Sequence, residues 1–109
     1  MKLAELAEKL ELKGVTRMFD REIGGVYSSD MVSDVIANAK AGDLLVTLQI
    51  HSNVIAAANL VDIAGIIVTQ GKLPTDDVVK MAEKAEIPIL STDLSRWQIF
   101  TKLYEAGVR

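Results

Sequence analysis

The clearest pattern of apolar positions lies in residues 42–61. Residues 44–48 are mostly apolar, which predicts a strand covered on both faces, and residues 54–61 predict a helix inside the core. A polar turn separates the two and contains Gln49, His51, Ser52 and Asn53. Because ligands of open α/β sheets bind where strands end and helices begin, this turn is the first candidate site.

The rest of the chain repeats this alternation of strand and helix. Apolar positions predict helices over residues 1–11 and 31–40, a helix that begins at residues 74–77, and a last helix that Gly107 ends. Strands are predicted over residues 15–19, 64–68 and 87–90, with a short extended segment at residues 26–27. Short loops between such elements favour right-handed βαβ units. The predicted fold is α/β, with three α/β/α layers around a mainly parallel sheet of about four to five strands.

Two helices have apolar faces that the spacing assigns to the core. The helix that begins at residues 74–77 directs Val78, Met81, Ala82 and Ala85 inward. The last helix has Leu103 and an aromatic stripe of Trp97, Phe100 and Tyr104 on one face, with Ile99 beside them. Such a stripe is more often core than interface, although tryptophan and tyrosine also anchor interfaces. A helix that pairs two copies of the chain is therefore the alternative.

Composition narrows the classes of protein. The 109 residues predict one domain over residues 1–109, with residues 1–12 as its N-terminal amphipathic helix. The net charge is −3 and no basic patch stands out, so no nucleic-acid partner is expected. No run approaches the ~18 apolar residues of a membrane span. Without cysteine or a signal peptide, we expect a cytoplasmic protein with no disulfide and no cofactor.

The usual catalytic motifs are missing. Residues 65–73 resemble a P-loop, but five residues separate their glycines and Leu73 replaces the hydroxyl that would bind Mg²⁺. His51 is the only histidine, and a general base needs a nucleophile and an orienting group within reach. A structural hydrogen bond is its favoured role, followed by ligand contact and then by catalysis. One histidine without cysteine gives no metal site.

Other polar residues follow the remaining predicted strands. Thr69 comes after one strand, and Ser91 and Thr92 come after another. Because parallel strands end at the same edge of a sheet, these residues and the polar turn predict one ligand-binding edge. Helix capping alone explains most of these polar residues. Asp20-Arg21 is favoured as a surface ion pair, with contact between Arg21 and a ligand phosphate as the alternative.

Four segments carry a resemblance to a known family. They are residues 30–43 (DMVSDVIANAKAGD), 46–58 (VTLQIHSNVIAAA), 64–71 (AGIIVTQG) and 87–92 (IPILST). In these segments the chain resembles the DRTGG-domain family, and the resemblance extends from about Gly14 onward. Residues 20–25 (DREIGG) depart from the motif that names the family, because Glu-Ile stands where the family has one threonine.

The resemblance implies a layered α/β domain that dimerises and acts as a regulatory or accessory module. Members are similar to the N-terminal domain of the bacterial kinase/phosphorylase of the sugar phosphocarrier protein. Others are inserts between CBS domains of regulated pyrophosphatases, parts of long phosphotransacetylases, or stand-alone proteins that accompany iron hydrogenase genes. The resemblance implies no catalytic activity. Kinase activity in particular is not expected, because the P-loop of the kinase domain is missing.

Three functions follow from these patterns. The first is a non-enzymatic homodimer that binds a small ligand, such as a nucleotide or phosphorylated metabolite, or docks a partner protein. The second is a small enzyme that acts on a phosphorylated substrate with His51 as general base. The third is a structural subunit of a redox complex associated with hydrogenase, which a large exposed apolar patch would favour.

Overall fold

Helices and strands alternate along nearly the whole chain. The structure, a computed structural model, describes all 109 residues. Its elements are α1 (Leu3–Lys9), β1 (Lys13–Gly14), β2 (Gly25–Ser28), α2 (Val32–Asn38), β3 (Asp43–Thr47), α3 (Ser52–Val61), β4 (Gly65–Val68), α4 (Asp76–Lys84), β5 (Ile89–Ser91) and α5 (Arg96–Glu105). No helix has the length and apolar character that crossing a membrane requires.

The five strands form one sheet in the order β1-β5-β4-β3-β2. Strands β2 to β5 are parallel, and each lies beside the strand that follows it in the chain. The short β1 runs antiparallel to β5, with Lys13 opposite Ser91. The predicted three-layer fold with a mainly parallel sheet is confirmed.

Alternation along the buried strands divides the core between the two faces of the sheet. Leu45 and Ile66 pack on the face covered by α2, α3 and α4. Leu44 and Ile67 pack on the opposite face, which α1 and α5 cover. Strands that are apolar on both faces need this double cover, which explains why the two central strands were the clearest feature of the sequence.

The first strand differs from its prediction. Residues 15–19 form no strand, and the strand at this place is Lys13–Gly14. The Val15 N–H donates to the Ile89 carbonyl at 2.9 Å, and the Thr16 hydroxyl accepts from the Ile89 N–H at 2.9 Å. Because a side chain satisfies the donor of β5, the regular ladder ends after Gly14. The extended segment at residues 26–27 belongs to the sheet as part of edge strand β2.

The faces of the last two helices were partly misassigned. On α4 the buried side chains are Val78 and Ala82, whereas Met81 is 44% exposed. On α5 the buried side chains are Ile99 and Leu103. At about 100° per residue, Ile99 lies on the opposite side of the helix from Trp97. The side of the apolar face with Ile99 and Leu103 therefore packs on the sheet, whereas the side with Trp97 and Tyr104 is exposed.

Two of the three aromatic rings on this helix lie outside the core. Trp97 is 76% exposed and Tyr104 is 63% exposed, while Phe100 is partly buried. In the single chain the prediction that these rings fill the core is wrong for Trp97 and Tyr104, whereas Phe100 packs against the core cluster that contains Ile99 and Leu103. The alternative, a surface that contacts another molecule, stays open.

Candidate functional site

Four helices begin at one edge of the sheet. The parallel strands β2 to β5 all end there, and α2, α3, α4 and α5 follow them through short loops. Most of the predicted site residues lie at this carboxyl edge, where unpaired N–H groups of helix starts are also found.

The connections change face between β4 and β5. After β4 the chain passes to α4 on one face, and after β5 it passes to α5 on the other. The loops that follow β4 and β5 therefore lead to opposite faces of the sheet. Here the Gln70 N–H donates to the Leu94 carbonyl at 2.9 Å, and the Gly71 N–H donates to the Thr92 carbonyl at 2.8 Å. These bonds join the two loops, so the predicted single site is divided into two grooves.

The first groove, called the histidine groove below, lies between the starts of α3 and α4. Its volume is about 490 Å³, and it is lined by Gln49, Ile50, His51, Ser52, Thr75, Asp77 and Val78. It brings together three of the predicted residues, with Asn53 next to them in the first turn of α3. Its one charged side chain is an acid, so its chemistry suits neutral hydrogen-bonding groups better than anions.

His51 is the N-cap residue of α3. Its Nδ1 accepts a hydrogen bond from the Asn53 N–H at 3.3 Å, and the Ser52 hydroxyl lies 3.5 Å from the same nitrogen. The backbone N–H of His51 donates to the Gln49 side-chain oxygen at 3.0 Å. No carboxylate bonds to the ring, and Nδ1 must be unprotonated to accept. The geometry favours the structural role over a general base, which needs an orienting partner.

The second groove, called the lysine groove below, opens on the opposite face. It has a volume of about 470 Å³ and is lined by Lys9, Leu10, Glu11, Lys13, Ser91, Thr92, Asp93, Leu94 and Lys102. It contains two of the predicted residues, Ser91 and Thr92. Lys9 and Lys13 lie near the N-terminus and Lys102 lies on α5, so the residues that give the groove its charge escaped the sequence reasoning.

Asp30 connects three segments at the carboxyl edge: the loop after β2, the end of β3 and the start of α5. Its Oδ1 accepts from the Thr47 hydroxyl at 2.9 Å and from the Leu48 N–H at 2.8 Å. Arg96 donates to both carboxylate oxygens, at 2.7 and 2.6 Å. Burial raises the pKa of Asp30, but the hydrogen bonds from Arg96, Leu48 and Thr47 outweigh it and hold the pKa below its ordinary value. Asp30 does not cap α2: the N-cap residue is Met31, no side chain makes a cap bond there, and the Ser29 hydroxyl accepts from the Met31 N–H at 3.1 Å.

Arg21 does not join the carboxyl edge. It donates to the Asp62 side chain at 3.1 Å and to the Ile63 carbonyl at 2.9 Å, immediately before β4 and so at the amino edge. Asp20 accepts from the Ala4 N–H at 2.9 Å. The predicted Asp20-Arg21 ion pair is therefore wrong, because each residue has another partner.

Thr69, which directly follows β4, is fully buried and lines neither groove. Its side chain is 0% exposed, and its hydroxyl has no hydrogen-bond partner. A buried hydroxyl without a partner is uncommon and costs stability. The structure also contains no group of three histidine or carboxylate side chains that could hold a metal ion.

Comparison of the sequence with protein families identifies one family. The model of the DRTGG domain family matches residues 12–106, which is most of the chain. No curated protein matched the sequence.

A solved structure shares the fold. It contains the CBS and DRTGG domains from the regulatory region of Clostridium perfringens pyrophosphatase, in complex with the activator diadenosine tetraphosphate. The TM-score is 0.73 at 16% sequence identity, and the match covers 93% of this chain and 45% of that one. At 16% identity the likeness establishes the fold alone. This chain spans less than half of the length of that structure.

Proposed function

The chain belongs to the DRTGG domain family, and on this premise we propose that it is a non-catalytic regulatory or accessory module. It forms a homodimer and binds a small ligand at the carboxyl edge of its sheet. The neighbour supports the regulatory role, since its DRTGG domain lies in the regulatory region of an enzyme crystallised with a nucleotide activator. Docking to a partner enzyme is the alternative within the same role.

The observation that carries the ligand half is the pair of grooves at the carboxyl edge. Their volumes of about 490 and 470 Å³ lie in the range of small-molecule sites. Both are open and bordered by polar groups, while His51 has its Nδ1 committed to the cap of α3. Binding without chemistry accounts for polar grooves that lack an oriented acid–base pair.

Thermal unfolding of the pure protein against nucleotides, dinucleotides and sugar phosphates tests the ligand half. A ligand at ~100 times its Kd that binds only the folded state adds about 2.7 kcal/mol. For a chain of this size, that should raise the midpoint by roughly 10 °C. A flat panel would refute ligand binding by these classes and would favour docking to a partner enzyme.

The variant His51→Asn then tests the histidine groove. Asparagine is a good N-cap residue, so the substitution removes the imidazole from the groove while α3 keeps its cap. If the ligand lies in this groove, its thermal shift should fall while the midpoint of the free protein stays nearly unchanged. An undiminished shift would assign the ligand to the other groove.

The dimer half rests on the outer face of α5. Trp97 and Tyr104 are exposed there, beside an apolar groove of about 330 Å³ lined by Val26, Phe100, Leu103, Tyr104, Val108 and Arg109. A protruding ring and a groove on one face are self-complementary, because two antiparallel α5 helices place each Trp97 near the groove of the other copy. Two such rings bury about 300–500 Å², roughly half of the ~800 Å² that a standard interface takes from each partner.

Sedimentation equilibrium of Trp97→Ala tests this contact. We expect the dimer dissociation constant to rise by about tenfold or more, since central aromatic residues dominate interface energies. The matched control is Leu60→Ala, because Leu60 is 72% exposed on α3 at the opposite face of the sheet. A monomeric parent protein, or an equal effect of both variants, would refute the α5 interface.

A further inference from the structure

The charges of the two grooves differ in sign. The lysine groove contains Lys9 from α1, Lys13 from β1 and Lys102 from α5, whereas the one charged residue of the histidine groove is Asp77. The chain as a whole has a net charge of −3. The lysine groove also contains Glu11 and Asp93, so three positive and two negative side chains leave it positive overall, opposite in sign to the chain and favourable to anions.

These ammonium groups are weakly engaged within the chain. Lys9 lies 3.4 Å from the exposed Glu5, and Lys13 lies 3.8 Å from Asp93. Lys102 has no acidic partner within ion-pair distance, because none of the six salt bridges of the chain includes it. Exposed pairs of this length contribute little, so an anion can replace them at small cost.

A buried hydroxyl lies in the wall of the same groove. Thr92 is 6% exposed, and its Oγ1 accepts from the Leu94 N–H at 3.2 Å. Its own proton is donated to no acceptor of the chain. An anion in the groove would take this proton as a hydrogen bond, since a phosphate oxygen is an acceptor without a proton to give.

We propose that the lysine groove binds a small anion that carries two or more phosphate groups. This proposal rests on the ligand half of the proposed function and names both the groove and the ligand class. Several phosphates match ammonium groups that three different elements bring together, and a volume of about 470 Å³ exceeds what a single phosphate needs. The histidine groove suits such a ligand poorly, because it has no cationic side chain and its one charged residue is Asp77.

Asp93 and Glu11 limit the affinity of the groove. Asp93 both adds negative charge and lies nearest to Lys13. Asp93→Asn keeps the shape of the side chain and removes its charge, so it should strengthen binding of a polyphosphate several-fold. A gain of affinity from a surface substitution is not expected if the protein merely loses structure.

Inorganic tripolyphosphate, titrated into the 109-residue protein and followed by the amide resonances in two-dimensional NMR, tests the proposal. We expect saturable shifts at residues 91–94 and at Lys13. The variant Lys9→Gln/Lys13→Gln/Lys102→Gln should bind at least about tenfold more weakly, since each lost charge weakens attraction at short range. The control Lys40→Gln/Lys80→Gln/Lys84→Gln has the same change of charge away from the groove and should bind within about twofold of the parent.

Three outcomes would overturn the proposal: no saturable shift at millimolar tripolyphosphate, shifts centred on residues 51–53, or an equal loss of affinity in both triple variants. The proposed function would survive each of them if a ligand from the thermal panel still stabilises the protein. Conversely, saturable binding of tripolyphosphate with no dimer would remove the dimer half alone. The spectra of the free variants report directly whether each one is folded.

Discussion

Asp30→Ala should be one of the most damaging substitutions outside the core. The carboxylate of Asp30 accepts from Thr47 at the end of β3, from the Leu48 N–H and twice from Arg96 of α5. It thereby joins the loop after β2 to the end of β3 and to α5, which lies on the face of the sheet that α1 also covers. Removing it leaves the Leu48 N–H and the Thr47 hydroxyl proton without their acceptor.

The expected cost can be assembled from these contacts. Hydrogen bonds to a charged group contribute about 1.5–3 kcal/mol each when they are shielded from water. Asp30 is 43% exposed, so solvent replaces part of each bond, and we expect about 2–3 kcal/mol for Asp30→Ala in total. The Arg96 pair is near the surface, and Arg96→Gln should cost only about 0.5–1 kcal/mol.

Urea unfolding at pH 7 and fixed protein concentration measures these differences. Glu8→Gln is the control for the lost negative charge, since Glu8 is exposed and forms no ion pair. If Arg96→Gln costs as much as Asp30→Ala, the ion pair rather than the bonds to β3 holds the edge together, and the reasoning fails.

The pH dependence gives an independent check. Because the pKa of Asp30 is lowered in the folded protein, its contribution is fully present above the ordinary value of 3.8 and is lost as the pH falls through the folded pKa. The stability difference between the parent and Asp30→Asn should therefore shrink as the pH is lowered below about 4. A difference that stays constant down to pH 2 would contradict this assignment.

Three further substitutions have defined expectations. Thr69→Val removes a buried hydroxyl without a partner and should raise the unfolding free energy by about 1 kcal/mol; a loss in thermal unfolding would reveal a partner for that hydroxyl. Gly71→Ala places a methyl group 3.0 Å from the Asp93 carboxylate at a φ of +69° and should cost about 1–2 kcal/mol in urea unfolding, whereas Gly107→Ala has only the strain of its φ of +95° and should cost less. Ser95→Ala breaks the capping box with Gln98 and should cost about 1 kcal/mol by the same measurement, against a smaller effect of Thr75→Ala, whose side chain makes no cap bond.

The fold was predictable because its signals are local. Residues 44–48 and 64–68 are mostly apolar segments, and the structure places β3 and β4 within them or one residue away, at Asp43–Thr47 and Gly65–Val68. The alternation of such strands with helices leaves few arrangements other than a parallel sheet between helix layers. The family resemblance pointed to the same fold and is confirmed by the match over residues 12–106.

The arrangement of the edge was not predictable, because it depends on contacts between distant residues. Asp30 and Arg96 are 66 positions apart, and nothing near either residue indicates the other. The bonds that join the loops at Gln70 and Leu94 are backbone contacts, which leave no mark in side-chain patterns. The prediction of one ligand-binding edge was therefore right about the ends of the strands but could not anticipate two grooves.

The position of β1 limits how copies of this protein can associate through their sheets. The two edge strands of the sheet are β1, with two residues, and β2, with four. Because β1 is so short, the one substantial unpaired margin is the outer side of β2. Strand pairing across that margin joins two molecules and then leaves none for a third. A protein with two such margins can grow into fibres, whereas here any association by strand addition ends at a pair.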